Sequence, residues 1–136
     1  MSNGFSRYEI GDITRLVLES ARVSGTHQIM KLEKAIAAII AEPGRPRLII
    51  DFRNVDEIAS AMLAAMLRVH ELASRAGGRV ALVELTDRVL EMFRFTRLDR
   101  TLELHETEHR ALAAFRSHAD RPTAGAASDT FDDETD

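Results

Sequence analysis

Apolar and polar positions divide this chain into segments of two different periods. Phe5 to Ile10 and Ile13 to Leu18 read as two short strands around Gly11-Asp12, a dipeptide suited to a hairpin turn. In the second run Ile13, Arg15, Val17 and Glu19 alternate, while Leu16 and Leu18 add apolar side chains at the other parity. After Ser24-Gly25-Thr26 the spacing lengthens. Ile29, Leu32, Ile36, Ile39 and Ile40 step by threes and fours and line one face of a helix running to about Ala41. Glu42-Pro43-Gly44-Arg45-Pro46 ends it. Leu48 to Phe52 is short and apolar enough for a strand buried on both faces, and Arg53 to Glu57 is a polar turn. Ala61 to Arg75 is built of good helix formers and stopped by Gly77-Gly78. Arg79 to Leu85 is a further apolar strand. Thr86 or Asp87 then caps a short helix through Phe93, Leu102-Glu103-Leu104 is a brief strand, and Glu106 to Arg116 is a closing helix. Two strands followed by alternating helix and strand predict an α/β domain over residues 1–117, a four- to five-stranded mixed sheet packed by about four helices.

Composition sharpens this picture at three points. Apolar residues make up 45% of the chain, enough for one core, but there is no Trp and few aromatics, so the core must be aliphatic. Cysteine is absent, which excludes a disulfide framework and thiol chemistry and suits a reducing cytoplasm. No apolar run approaches the roughly 18 residues that span a membrane. Met1-Ser2-Asn3-Gly4-Phe5 lacks the charged and apolar regions of a secretory signal. A soluble cytoplasmic protein without membrane insertion is the expectation.

The net charge of −4 hides an asymmetry. From His118 onward six acids (Asp120, Asp129, Asp132, Asp133, Glu134 and Asp136) face Arg121 alone, a net of −5 that leaves +1 for the rest. Phe131 is the one large apolar residue there, so residues 118–136 predict a disordered acidic tail. A nearly neutral body offers no basic footprint for direct nucleic-acid binding.

The candidate chemistry sits where the central strand gives way to a helix, around Ser60. A serine that opens a helix can cap it by accepting a hydrogen bond from a free backbone N–H. The same free N–H groups and the positive end of the helix dipole also suit a phosphate on the hydroxyl. With no base nearby in sequence and no Gly-x-Ser-x-Gly elbow, a hydrolytic nucleophile is unsupported.

Residues from about 47 to 115 resemble the STAS domain of bacterial anti-sigma-factor antagonists and of the cytoplasmic ends of sulphate transporters. The resemblance is carried by Leu48-Ile49-Ile50-Asp51-Phe52 with Val55, by Ile58-Ala59-Ser60-Ala61-Met62-Leu63 and by Ala76-Gly77-Gly78-Arg79-Val80-Ala81-Leu82-Val83. Val89-Leu90-Glu91-Met92-Phe93 and Leu98-Asp99-Arg100 extend it. It implies a STAS-like fold. In the antagonist branch the strand-to-helix turn carries Asp-Ser-Ser-Gly, and a partner kinase phosphorylates the first serine. Ser60 falls on that serine, with Ala59 in place of the Asp, Ala61 of the second Ser and Met62 of the Gly.

The resemblance therefore implies a non-enzymatic antagonist that captures an anti-sigma-factor serine kinase, with Ser60 as phospho-acceptor. Asp51, Asp56, Glu57, Ala61, Met62 and Ala65 are the expected partner-binding residues around it. Asp51 suits stabilisation of the turn by bonding nearby backbone N–H groups, and Met62 suits an adaptable, partly exposed surface. No cofactor is implied, and a homodimer is compatible with the sequence. The alternative is a STAS scaffold or transporter accessory subunit with no phospho-switch. One motif points to a different class: His105-Glu106-Thr107-Glu108-His109 fits the His-Glu-x-x-His pattern of zinc-dependent hydrolases. Acids opening a helix have a plainer explanation, since they complement its dipole. Arg88, Arg94, Arg97 and Arg100 cluster around the short helix after Leu85, as a solvated face or a receptor for acidic groups. Arg97 stands where many relatives have glycine.

Overall fold

Gly11 takes a left-handed φ of 63°, and the chain reverses there within two residues. This lets β1 (Phe5–Ile10) pair antiparallel with β2 (Ile13–Leu18). The computed structural model describes residues 4–117, so the acidic segment 118–136 lies outside the described residues. After the hairpin come β3 (Arg22–Val23), α1 (Thr26–Ile40), β4 (Arg47–Asp51), β5 (Glu57–Ile58) and α2 (Ser60–Arg75). They are followed by β6 (Arg79–Val83), α3 (Asp87–Phe95), a single 3₁₀ turn over Leu98–Arg100, β7 (Glu103–His105) and α4 (Glu108–Ser117). The main sheet has the order β1-β2-β4-β6-β7, parallel throughout except for the hairpin.

Register sorts the side chains between two layers. Leu16, Ile50, Leu82 and Leu104 lie side by side across four strands and pack with α1, α2 and α3 in the larger core. The neighbouring row, Arg15, Ile49, Ala81 and Glu103, faces the other way, where Ile49 and Ala81 pack with Ala111 and Phe115 of α4. Both faces of β2 are therefore covered, which explains its blurred alternation. Its apolar residues serve two layers.

Several boundaries shift from the sequence expectation for identifiable reasons. β6 stops at Val83 because Glu84 adopts a left-handed φ of 59°, which leaves the ladder. α4 starts at Glu108, with Thr107 Oγ1 accepting from the Arg110 N–H at 3.1 Å, so Glu106 lies before the helix. α2 ends in a Schellman-type closure, Gly78 N–H donating to Ala73 O at 2.8 Å and Gly77 N–H to Ser74 O at 3.0 Å. A Cβ on Gly78 would stand 2.0 Å from the Pro46 carbonyl oxygen, so glycine is required where α2 hands the chain to β6.

Candidate functional site at the strand-to-helix turn

The turn between β4 and α2 is pinned along its whole length. Phe52 N–H donates to Val83 O at 2.9 Å, and the buried Phe52 ring meets Phe93 edge to face at 6.4 Å. Arg53 N–H donates to Asp51 Oδ1 at 2.9 Å, Asn54 Nδ2 to Leu18 O at 3.2 Å, and Val55 N–H to Phe52 O at 2.9 Å. The second half rests on the β3 segment. Asp56 and Glu57 N–H both donate to Ala21 O, at 2.8 and 3.1 Å, and Ala59 N–H donates to Val23 O at 3.0 Å. From the other side Thr86 Oγ1, the cap of α3, reaches Val55 O at 3.4 Å. The small β3–β5 ladder is parallel, pairing Arg22 with Glu57 and Val23 with Ile58. Two-residue strands carry no period, so this support was not legible in the sequence.

On this frame Ser60 is the first residue of α2, not its cap. Ala59 occupies the cap position with extended backbone (φ −86°, ψ 160°) and supplies no side-chain acceptor. Ser60 is exposed, and its hydroxyl has no hydrogen-bond partner among the described residues. The capping role expected of Ser60 is thus corrected, because its backbone has already turned helical.

The expected partner-binding residues separate into two groups. Asp56, Glu57 and Ala61 are exposed, with Arg22 Nε 2.9 Å from Glu57 Oε1. Met62 and Ala65, at 0% and 1% exposure, belong to the core, and Asp51 is fully buried. The apolar corner expected at the helix start is therefore reduced to Ala61. The physical reason is the angle at which α2 leaves the turn: Met62 and Ala65 share the sheet-facing stripe with Leu63, Met66 and Val69.

Asp51 anchors the turn from beneath. Its carboxylate takes the Arg53 backbone N–H and the Arg53 guanidinium, with Nη2 2.7 Å from Oδ2, and Arg15 Nη2 lies 3.4 Å away. The Asp51 hydrogen bond raises the Arg53 pKa above its ordinary value. Arg53 Nη2 also lies 3.3 Å from Glu108 Oε1 at the start of α4, and Arg15 Nε is 2.8 Å from the same oxygen. The turn is thereby tied to α4 on the opposite face of the sheet. Arg15 was visible in the sequence as a polar interruption of β2, a signal that pointed to this network without naming its partners.

The His-Glu-x-x-His motif does not form a two-ligand helix face. His105 ends β7 at 1% exposure, while Glu106 and His109 are exposed and His109 lies on α4. His105 Nε2 is held 2.8 Å from Glu103 Oε2. The expectation fails because two residues of turn separate the strand from the helix, so the histidines are not one helical turn apart. Among the described residues no group of three or more His, Asp or Glu side chains is arranged to hold a metal ion.

A mixed sheet with this register, and a helix launched from the end of its central strand with an exposed serine at the first position, define a domain of the STAS architecture. The STAS domain family model matches residues 11–111, and the chain belongs to that family. Among solved structures, the fold is similar to that of an anti-sigma-factor antagonist STAS domain protein from Planctomyces limnophilus. The two share 16% identity and a TM-score of 0.75, over 82% of this chain and 97% of that one. A putative anti-sigma factor antagonist from Thermotoga maritima aligns at 19% identity and TM-score 0.72, covering 82% of this chain and 94% of its own. The murine Solute Carrier 26 family member A9 anion transporter aligns at 15% identity and TM-score 0.64, covering 81% of this chain and 18% of the transporter. No curated protein sequence matches. No helix among the described residues is long and apolar enough to cross a membrane.

Proposed function

We propose that this chain is a non-enzymatic anti-sigma-factor antagonist of the cytoplasm, whose capture of an anti-sigma serine kinase ends when that kinase phosphorylates Ser60. The observation that carries the reading is the state of Ser60: exposed, unbonded, and at the first position of α2 on a turn pinned from both sides. A kinase needs a hydroxyl that it can reach, and a switch needs a rigid place to put charge. Phosphate adds about −2 of charge at neutral pH beside exposed Asp56 and Glu57. A partner docked over Ala61 and those acids must then desolvate the added charge or leave. Asp51, Met62 and Ala65 act from below, by holding the turn and helix that present the surface. Phosphoryl transfer is the kinase's chemistry, and this chain supplies the acceptor.

The test is calorimetric titration of the anti-sigma kinase with wild-type protein and with Ser60→Asp. The expected result is at least about tenfold weaker binding, a cost of roughly 1.4 kcal/mol, with an unchanged thermal midpoint. Equal affinity for a confirmed partner overturns the switch.

A second reading, a STAS scaffold or transporter accessory subunit without a phospho-switch, draws on Ala59. That residue caps α2 without a side-chain acceptor, where the antagonist pattern has Asp. It predicts that protein captured from its native cells carries Ser60 unmodified and brings down a transporter instead of a kinase.

A further inference from the structure

β1 is an edge of the main sheet: among the described residues its one neighbour is β2. It runs six residues without a bulge or a proline, and Arg7, Tyr8 and Glu9 near its centre are exposed. A straight, accessible edge leaves a row of backbone donors and acceptors open to another strand. Which residues supply that row follows from the hairpin. Ile10 and Ile13 flank a two-residue turn and so form a hydrogen-bonded pair, and such pairs alternate along an antiparallel ladder. The bond from Glu19 N–H to Gly4 O, at 2.9 Å, shows the same parity at the far end. The even-numbered residues of β1 therefore bond to β2, and Phe5, Arg7 and Glu9 direct their N–H and C=O groups outward.

Side chains select what can pair with that row. Arg7 and Glu9 share one face and are held in place there. Arg7 Nη1 and Nη2 donate to Glu42 at 2.9 and 2.8 Å, Arg7 Nε donates to Glu9 Oε2 at 2.8 Å, and Thr14 Oγ1 to Glu9 Oε1 at 3.2 Å. Tyr8 lies on the other face, 49% exposed, with the Arg15 guanidinium 5.1 Å from its ring centre. An antiparallel β1 from a second copy must set outward residues opposite outward residues. Arg7 opposite Arg7, or Glu9 opposite Glu9, repels. The register centred on Tyr8 instead sets Arg7 of each copy opposite Glu9 of the other. Each such position exchanges both backbone hydrogen bonds and forms a cross-strand ion pair. The two Tyr8 side chains meet at the intervening non-hydrogen-bonded position, where opposed side chains are closest. Charges on an edge usually guard it against pairing, but here they are self-complementary.

We propose that two copies of this chain associate through their β1 edges, antiparallel and centred on Tyr8, joining the two five-stranded sheets into one continuous sheet. The contact does not rest on phosphorylation at Ser60. It uses the same surface on both copies and therefore closes at a dimer. Backbone bonds carry the association, and the ion pairs set its register and its sensitivity to salt.

Sedimentation velocity on the full-length chain, from micromolar to millimolar concentration, reads the association directly. Wild type is expected to pass from monomer to dimer as concentration rises. Arg7→Glu sets acids opposite acids and Glu9→Arg sets arginines opposite arginines, so each alone should associate at least about tenfold more weakly. Mixed in equal amounts, the two variants should form a heterodimer, because every opposed pair then carries opposite charges. Both changes are at exposed positions, and a retained cooperative thermal transition checks the fold. The absence of native cysteine allows an independent reading of the register. Opposed Cα atoms at a non-hydrogen-bonded position stand about 4.5 Å apart, within disulfide range, so mild oxidation should link Tyr8→Cys into dimers at least about tenfold faster than Ser6→Cys. A wild type that stays monomeric throughout overturns the proposal, as does a dimer that survives both charge reversals. Variants that fail to pair on mixing, or equal cross-linking at positions 6 and 8, overturn it as well.

Discussion

The two faces of the sheet are built on different principles. Toward α1 and α2 the rows are apolar, with Leu16, Leu48, Ile50, Leu82 and Leu104 all at 2% exposure or less. Toward α4 the same strands carry Ile49, Ala81 and Val83 interleaved with Arg15, Asp51, Arg79, Glu103 and His105. Ten residues of α4 cover that side, and ion pairs fill much of what an apolar layer would otherwise occupy. The Arg79 guanidinium grips both Glu103 oxygens, at 2.8 and 2.7 Å, and His105 takes one of them as well. The difference teaches where each face is fragile. Dispersion and desolvation are spread over many side chains on the first face, whereas the second depends on a few mutually neutralising groups.

The largest expected effect breaks the charged face on one side only. Glu103→Ala removes the buried carboxylate that Arg79 and His105 share, and should cost about 4 kcal/mol in urea unfolding. The apolar counterpart, Ile50→Ala, should cost about 3 kcal/mol by opening a cavity. The faces then diverge under paired replacement. Arg79→Met with Glu103→Leu should recover part of the Glu103→Ala loss, because the Arg79 charge goes with its carboxylate partner while His105 Nε2 still loses its acceptor. A double variant as unstable as Glu103→Ala would refute the contrast.

Acid titration separates the faces by pH. On the α2 side, burial pushes the His70 pKa below its ordinary value of 6.5. Its unfolded form binds more protons than the folded one, so its contribution is complete above pH 6.5 and is lost as pH falls below it. On the α4 side, burial pushes the Glu103 carboxyl up, but the hydrogen bonds from His105 and Arg79 outweigh this and hold it below its ordinary 4.5. Its contribution is present above pH 4.5 and is lost only on further acidification. Stability measured against pH should therefore decline in two stages, and His70→Leu should flatten the first while leaving the second.

The smallest expected effects lie at the rim. Among the described residues, Arg97 and Glu84 are the two other than glycine with left-handed backbone. Arg97→Gly relieves that conformation and should raise stability by about 0.5 kcal/mol after the added entropy of the unfolded chain. Glu84→Gly should not, because Glu84 Oε2 accepts the Glu108 N–H at 2.9 Å and closes the start of α4. Equal gains at both positions would remove Glu84 from the charged face.

Much of this architecture was legible before any coordinates. The period-three-and-four stripe of α1 became its buried face residue for residue, Ile29, Leu32, Ile36, Ile39 and Ile40. The Gly11-Asp12 hairpin and the stop at Gly77-Gly78 follow from local backbone chemistry and appear where that chemistry put them, and of the two candidate caps, Thr86 and Asp87, the structure selects Thr86. What was missed has a common cause. β3 and β5 are too short to carry a period, and they exist only because Ala21 and Val23 offer carbonyls to the turn. Met62 is an apolar residue near a helix start, and nothing local states whether its side of α2 meets solvent or sheet. The His-Glu-x-x-His spacing is a pattern of letters that becomes a metal site only on one continuous helix, and a strand end intervenes.

The sequence by itself determined the order of the longer elements, their approximate ends, the aliphatic core and the position of Ser60 at the head of α2, because these depend on interactions among residues a few positions apart. Only the tertiary structure decided that Ser60 is free while Met62, Ala65 and Asp51 are buried. Likewise, only the fold joined Arg53, Arg15 and Glu108 into one network with Asp51, from three elements distant in sequence. Burial and ion pairing depend on which surfaces meet, and that is settled when α2 and α4 close on opposite faces of the same sheet.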